Sequence, residues 1–360
     1  MFNNQIMAGS AAAGGGGFYD QTIDQSLRFN KASSPRLLDS SVSSSGNRRK
    51  FTFSFWIKFS KASDLYDVVI GAGGTATYPS ALIGFHSQRL TYKDYRHPSY
   101  TTNVITTAVF RDVSSWYHFV VAVDTTQSTA ADRLKMYVNG TQLTDFDTAS
   151  YPSQNYDTLF QDSTSGNEPL IGYAPGFDYM DGYLAEIYNV DNAQLAPTEF
   201  GETKNGVWVP KEYSGSFGTT GYKLTFSDSS SIGADSSGNN HQFDTATNLA
   251  ATDIVSDSPT NNWSTLNSLK VNSATQTFAE GNLDFSSTQT GTNPAVTSTF
   301  VVGSGKWYWE VYVKAGAGSN SIGIAKHPNA LENDPYALYV DDDAYQYMTD
   351  GTLRNGSSTS

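Results

Sequence analysis

Cysteine is absent from the sequence. No disulfide framework and no thiolate metal site can form, so stability rests on packing and on assembly between chains. Basic residues are scarce: 22 Lys and Arg stand against 35 Asp and Glu, a formal net charge of −13. That excess of acid opposes phosphate backbones and anionic lipid, and nucleic acid is not expected as a partner. No run is long and apolar enough to suggest membrane insertion, and the opening "MFNNQIMAGSAAAGGGGFYD" lacks the basic start and continuous apolar stretch of a secretion signal. Helix signals are also thin. "STAADRLK" and "NAQLAPTEFGE" suit a turn or two, and Pro197 and Gly201 confine the second.

What is present is aromatic residues and alternation. Phe, Trp and Tyr make up 13% of the 360 residues, which favours strands over helices. In "FTFSFWIKF" the residues Phe51, Phe53, Phe55, Ile57 and Phe59 share one face of a strand; in "WYHFVVAVD" the set is Tyr117, Phe119, Val121 and Val123. Leu134, Met136 and Val138 alternate before Asn139 and Gly140, a pair that tolerates the positive φ of a tight hairpin. Many short strands separated by Gly, Ser, Thr, Asn and Asp predict an all-β protein built as an antiparallel sandwich.

The texture divides the chain into four parts. Residues 1–20 form a Gly-rich arm or linker, 21–202 a first sandwich, 203–262 a Ser/Asp/Asn-rich connector, and 263–360 a second, partial sandwich. Within the connector, Tyr222, Leu224 and Phe226 still alternate, which predicts a strand wrapped onto a neighbour. In "GSGKWYWEVYVKAG", residues 303–316, Trp307, Trp309, Val311 and Val313 share one face. Tyr308, Glu310, Tyr312 and Lys314 share the other, so a strand buried on one side is predicted, with both tryptophans in the core.

"FTFSFWIKF", "SSWYHFVVAVDTTQSTAADRLKMYVNGTQL" and "DGYLAEIYNVDNAQLAPTEF", in that order and spacing, resemble the concanavalin A-like, laminin G-like jelly-roll family over residues 22–202. "FVVGSGKWYWEVYV" followed by "SIGIAKHPN" resembles the first half of an SPRY domain. The whole arrangement, with "KNGVWVPKEYSGSFGTTGYKLTFSDSS" between, is similar to structural and tail-fibre proteins of marine tailed bacteriophages of the cyanophage type. That resemblance implies a virion component on the tail or capsid surface, assembled in the host cytoplasm. It implies other virion proteins as partners, a homo-trimer as in fibres, and adhesion to a host-surface glycan or protein. A head-decorating or tail-mounting protein without a host ligand is the alternative.

Catalytic chemistry finds little support. Sugar hydrolases of this fold place two acids on alternating positions of one strand. Glu186 in "YLAEIY" and Glu310 in "YWEVYV" are each the lone acid of their strands, which predicts side chains facing solvent or paired with a base. The histidines His86, His97, His118, His241 and His327 show no nucleophile context; His86 and His97 flank a loop, and His118 reads as a partly exposed strand residue. A non-enzyme without an organic cofactor is expected, with a glycan depolymerase as the third reading. Asp178 and Asp181 in "DYMDG", and Asp341 to Asp343, carry the hard oxygens calcium takes, so calcium remains a candidate, although no full ligand set carries over from the family. Candidate binding residues are the loop aromatics and their neighbours: Tyr92, Tyr95, Arg96, His97 and Tyr100; Tyr151 and Tyr156; Tyr173, Phe177 and Tyr179. Such rings bury flat area at low entropic cost while their polar tips fix orientation.

Overall fold

The computed structural model describes residues 17–61, 65–73, 80–162, 167–243, 247–271, 276–288, 294–314, 320–325, 344–355 and 358–359. The acidic run 341–343 and most of the N-terminal arm lie outside them. The chain forms two compact units, Met1–Trp263 and Ser264–Ser360.

The first unit contains β1 (Ser26–Phe29), β2 (Leu37–Leu38), β3 (Lys50–Phe59), β4 (Tyr66–Gly73), β5 (Ser80–His86), β6 (Arg89–Arg96), β7 (Ser99–Thr106), β8 (Tyr117–Asp124) and β9 (Leu134–Val138). It continues with β10 (Thr141–Leu143), β11 (Phe146–Ser150), β12 (Pro169–Ile171), β13 (Gly182–Asp191), β14 (Gly201–Lys204), β15 (Val207–Pro210), β16 (Tyr222–Leu224) and β17 (Ile254–Val255). One antiparallel sheet runs β10-β9-β8-β3-β13-β1-β17 with β16 added to β13; the second runs β11-β7-β6-β5-β4-β12-β2. The predicted sandwich is present, and the alternating sets hold. Phe51, Phe53, Phe55, Ile57 and Phe59 enter the core from β3 and Tyr117, Phe119, Val121 and Val123 from β8, against Ile83, Phe85, Leu90 and Tyr92 of the second sheet. Asn139 and Gly140 both have positive φ, as the β9–β10 hairpin requires.

Residues 203–262 are not an appendage to this sandwich. Tyr222, Leu224, Phe226 and Phe243 belong to the central core, and β16 and β17 pair with β13 and β1. The same stretch covers the outer face of the first sheet. Trp56, Trp116, Tyr183 and Ala185 pack with Ile23, Trp208 and Val255; beside them, Val120, Tyr188 and Val190 pack with Phe200 and Tyr213.

Covering that face buries polar positions that alternation had assigned to solvent, and each is matched by a partner. Lys58 is fully buried. Its ammonium donates to Asp257 Oδ2 at 2.7 Å, Asn262 Oδ1 at 2.8 Å and the Trp263 carbonyl at 2.5 Å. Asp257 Oδ1 accepts from Trp116 Nε1 at 2.9 Å and the Trp263 amide at 3.2 Å. Burial pulls the lysine pKa down and the aspartate up, and each charge partly reverses the other's shift.

His118, expected to be partly exposed, is also buried. Its ring stacks between Trp56, with centroids 4.8 Å apart, and Trp208 at 5.9 Å. Nδ1 accepts from Trp208 Nε1 at 3.0 Å, so the proton of the neutral ring sits on Nε2, which donates to Ser54 Oγ at 2.8 Å. Burial pulls its pKa down to about 3. Glu186 is likewise buried, and of its two expected settings, solvent or a paired base, the paired one holds, with Lys223 as the base. It sits at φ 42° in a bulge of β13 and accepts from Tyr188 Oη at 2.5 Å and Gln21 Nε2 at 3.0 Å, with Lys223 Nζ 4.0 Å away. The reason is the same in both cases: this sheet has no solvent face at these positions.

The second unit holds β18 (Leu266–Val271), β19 (Gln276–Ala279), β20 (Asp284–Ser287), β21 (Val296–Ser298), β22 (Ser321–Ala325), β23 (Ala344–Met348), β24 (Leu353–Asn355) and β25 (Ser358–Thr359). β18 pairs with β21, β19 with β20, and β22-β23-β24-β25 form a four-stranded sheet. The strand predicted around Trp307 does not form: residues 300–314 carry none, and Trp307 and Trp309 are 51% and 53% exposed. A half-buried strand needs a neighbour for its backbone and a layer for its apolar face. Among the described residues no strand pairs with this segment.

Replacing Lys58 with Met leaves the Asp257 carboxylate buried without its cation and is expected to cost about 3–5 kcal/mol in urea unfolding. A loss below about 1 kcal/mol would show that the pair does not hold the covering segment. For His118, nitrogen NMR is expected to show a neutral Nε2–H ring down to pH 4. Its depressed folded pKa contributes stability that is complete above the unfolded value of about 6.5 and is lost as pH falls toward 3. A protonated ring at pH 5 would contradict the burial.

Candidate functional site on the outer face of the second sheet

The second sheet is covered differently. Along β5 and β6 the residues Ile83, Phe85, Leu90 and Tyr92 point into the core, so Leu82, His86, Arg89, Thr91 and Lys93 point outward. The β4–β5 end of this outer face is packed over by the loop of residues 172–181, which lies against Val68 and Leu82 through Ala174 and Phe177; further along, Thr91 and Lys93 are also buried, and Tyr100 on β7 is 45% exposed. The approach is close because residue 71 is glycine: a Cβ there would stand 2.0 Å from the Tyr173 carbonyl oxygen.

Beyond this loop, rings and cations form one connected cluster. Tyr66 stacks on His86 with centroids 4.4 Å apart and meets the edge of Phe177 at 5.0 Å. Lys93 Nζ donates to Tyr66 Oη and lies 4.8 Å and 4.9 Å from the ring centres of Tyr66 and Tyr100. Tyr100 packs against Tyr95 at 4.8 Å, and Tyr95 against His97 at 6.5 Å. The β6–β7 hairpin positions these last three: a register shift at Asp94/Tyr95 brings Tyr95 opposite Tyr100. Burial lowers the pKa of Lys93, and that of His86 is lowered by burial and by the positive charges of Lys93 and Arg89.

The sequence-predicted residues thus separate. Tyr95, His97, Tyr100 and Phe177 join the cluster. Tyr173 and Tyr179 form a second pair, stacked at 4.5 Å, with Arg36 5.6 Å from the Tyr173 ring centre. Arg96 and Tyr156 serve the hairpin itself: Arg96 Nε donates to Tyr156 Oη at 2.7 Å, and Tyr156 Oη donates to the buried Asp94 at 3.1 Å. Tyr151 packs on the core through Phe146. Tyr92 is no surface residue: it is 1% exposed, and burial holds its phenol well above the ordinary tyrosine range. The sequence groups it with the loop aromatics, but it occupies the inward phase of β6 beside Leu90. Tyr66, His86, Arg89 and Lys93 were missed as site members. The polar alternation of Arg89, Thr91 and Lys93 against Leu90 and Tyr92 is the signal that finds the last two.

Asp178 and Asp181 each hold a lysine, Lys31 at 2.7 Å and Lys61 at 3.0 Å. Among the described residues no group of three or more acidic, histidine or cysteine side chains has the arrangement to hold a metal. Asp67 is buried beside them, with Oδ1 accepting no hydrogen bond and Lys31 Nζ 3.9 Å away. Burial pushes its pKa up to about 7, opposed by Lys31 and Lys61 and reinforced by Asp181 and Asp178. Between the unfolded value near 4 and pH 7 the folded state binds the extra proton, so Asp67 lowers stability as pH rises through that window. Asp67→Asn is therefore expected to raise Tm more at pH 8 than at pH 5; an equal shift at both would contradict the buried carboxylate.

Residues 32–199 match the laminin G family described as the concanavalin A-like lectin/glucanases superfamily. Among solved structures, the chain is similar to a SAP-like pentraxin of Limulus polyphemus at 13% identity, covering 48% of this chain and 78% of that one, with a TM-score of 0.34. It is also similar to domain 4 of an extracellular arabinanase from Geobacillus stearothermophilus, solved with arabinotriose, at 20% identity, 52% and 81% coverage and a TM-score of 0.35. Domains LG4-5 of the mouse laminin alpha1 chain give 11% identity, 61% and 50% coverage and a TM-score of 0.33. No curated protein matches.

Proposed function

We propose, from the premise that residues 32–199 are a concanavalin A-like, laminin G-like domain, that this protein is a non-enzymatic adhesion module which binds a surface glycan or protein through the outer face of its second sheet. The observation that carries this reading is the connected cluster of His86, Tyr66, Phe177, Lys93, Tyr100, Tyr95 and His97, which reaches solvent at the exposed His97 and Tyr100 of the β6–β7 hairpin. Flat rings with polar tips and a cation between them suit recognition of a polar, ring-shaped ligand. Glu186, the acid a hydrolase reading would use, is buried and bonded to Tyr188 and Gln21, which favours binding over cleavage.

The virion setting belongs to the same proposal. The sequence order of a Gly-rich lead, a laminin G-like sandwich, a wrapped connector and a segment that resembles an SPRY start in sequence supports a tail-fibre or fibre-adaptor protein of a tailed bacteriophage. Such a protein is exposed on the particle, bound to other virion proteins and trimeric. A head-decorating or tail-mounting role without a host ligand is the second reading, favoured by the half-exposed Trp307 and Trp309 of the second unit as surfaces for a neighbouring virion protein.

Screening the purified chain on a glycan array and on host cells tests the adhesion reading. Binding is expected to fall by about tenfold or more with Tyr100→Ala, the loss of one well-placed ring. Binding to neither glycans nor cells would remove the reading, and release of reducing ends from host polysaccharide would replace it with the hydrolase.

A further inference from the structure

The outer face of the second sheet carries positive charge that no acidic side chain among the described residues balances. Arg89 and His86 are opposite each other across β5 and β6, and Lys93 follows on the same face, two outward positions along from Arg89. None of the three forms an ion pair among the described residues, in a chain whose net charge is −13 and whose other buried lysines, Lys58 and Lys223, hold an aspartate and a glutamate. Lys93 is only 5% exposed. Its one hydrogen bond goes to a neutral phenol, Tyr66. Arg89 Nε is buried without a hydrogen-bond partner, and so is Asn103 Oδ1 on the residue that pairs with Lys93 across β6 and β7.

A buried ammonium normally has a carboxylate beside it, because its desolvation is costly without one. The positive charges also raise the cost of protonating His86, whose pKa is lowered by both neighbours as well as by burial. An arriving oxyanion relieves the cationic groups. It neutralises Lys93, accepts from Arg89 Nε, which has no acceptor, and does so beside the rings of Tyr66 and Tyr100.

We propose that the ligand of this face is an acidic saccharide, one whose sugar ring packs against Tyr100 while its oxyanion substituent is taken by Lys93 and Arg89. This rests on the adhesion reading above and narrows it by charge. Neutral sugars of the same shape present only hydroxyls and leave Lys93 without a counter-charge, so discrimination comes from the substituent and not from the ring.

The test compares trigalacturonate with its methyl ester, which keeps the skeleton and removes the charge, by calorimetric titration of the full chain. A trisaccharide bearing a sulfate ester in place of the carboxylates tells which oxyanion is preferred. The acid is expected to bind about tenfold or more tightly than the ester, and its affinity to fall as salt is raised. Lys93→Met keeps the aliphatic stem that packs on the rings and is expected to abolish the preference for acid; Arg89→Gln, a smaller change at the rim, is expected to weaken it. Near-UV circular dichroism of both variants reports that the fold is intact. Equal binding of acid and ester, insensitive to salt and to Lys93→Met, would overturn the acidic-ligand inference while leaving glycan adhesion standing. Binding of none of the three probes, together with an empty array, would remove both.

Discussion

A charge buried at the end of a strand organises the first unit. Lys58 has no water to solvate it, so the ammonium must be met by protein, and the groups that meet it come from about 200 residues further along the chain. Asp257, Asn262 and the Trp263 carbonyl reach it only if residues 203–262 fold back across the outer face of the first sheet. The hydrophobic contacts of Trp208, Phe200 and Tyr213 with that face are broad and tolerant of small shifts. The hydrogen bonds to Lys58 and to Trp116 set the register of the segment.

The two sheets consequently differ in kind. The first is covered on both sides, and its polar side chains are satisfied internally: His118 by Ser54 and Trp208, Glu186 by Tyr188 and Gln21. The second has one face in the core and another that reaches solvent chiefly at the β6–β7 hairpin, and on that face cationic groups are left without a carboxylate among the described residues. Buried groups titrate in opposite senses across the molecule. His118 adds stability as pH rises through the weakly acidic range and Asp67 removes it, so the two slopes offset between about pH 4 and pH 6.5.

The architecture of the first unit was legible because period-two alternation reports which side chains are buried together, and β3, β8 and β9 alternate cleanly. What alternation does not report is whether the other face meets water. His118 reads as partly exposed and is buried, and Glu186 meets its base, Lys223, inside the protein, since the segment that covers them is distant in sequence and reads as a polar connector. The candidate site was legible in part. Tyr95, His97, Tyr100 and Phe177 stand out as loop aromatics, whereas Tyr66 and Lys93 become neighbours only through the pairing of β4, β5 and β6. Tyr92 and Trp307 show the converse failure. An aromatic residue in a polar stretch reads as surface, and an alternating one reads as core, but the neighbouring strands decide both.

Lys58 also determines where the first unit takes mechanical load. Without it, tension on the chain at Trp263 would peel β17, a two-residue strand on the edge of its sheet. With the Trp263 carbonyl and Asp257 both held by Lys58, that tension is passed to β3, a ten-residue strand bonded to β8 on one side and β13 on the other. Unzipping of that margin then has to be preceded by breaking the buried ion pair and hydrogen bonds of Lys58, so the unit is anchored against a pull from its C-terminal side.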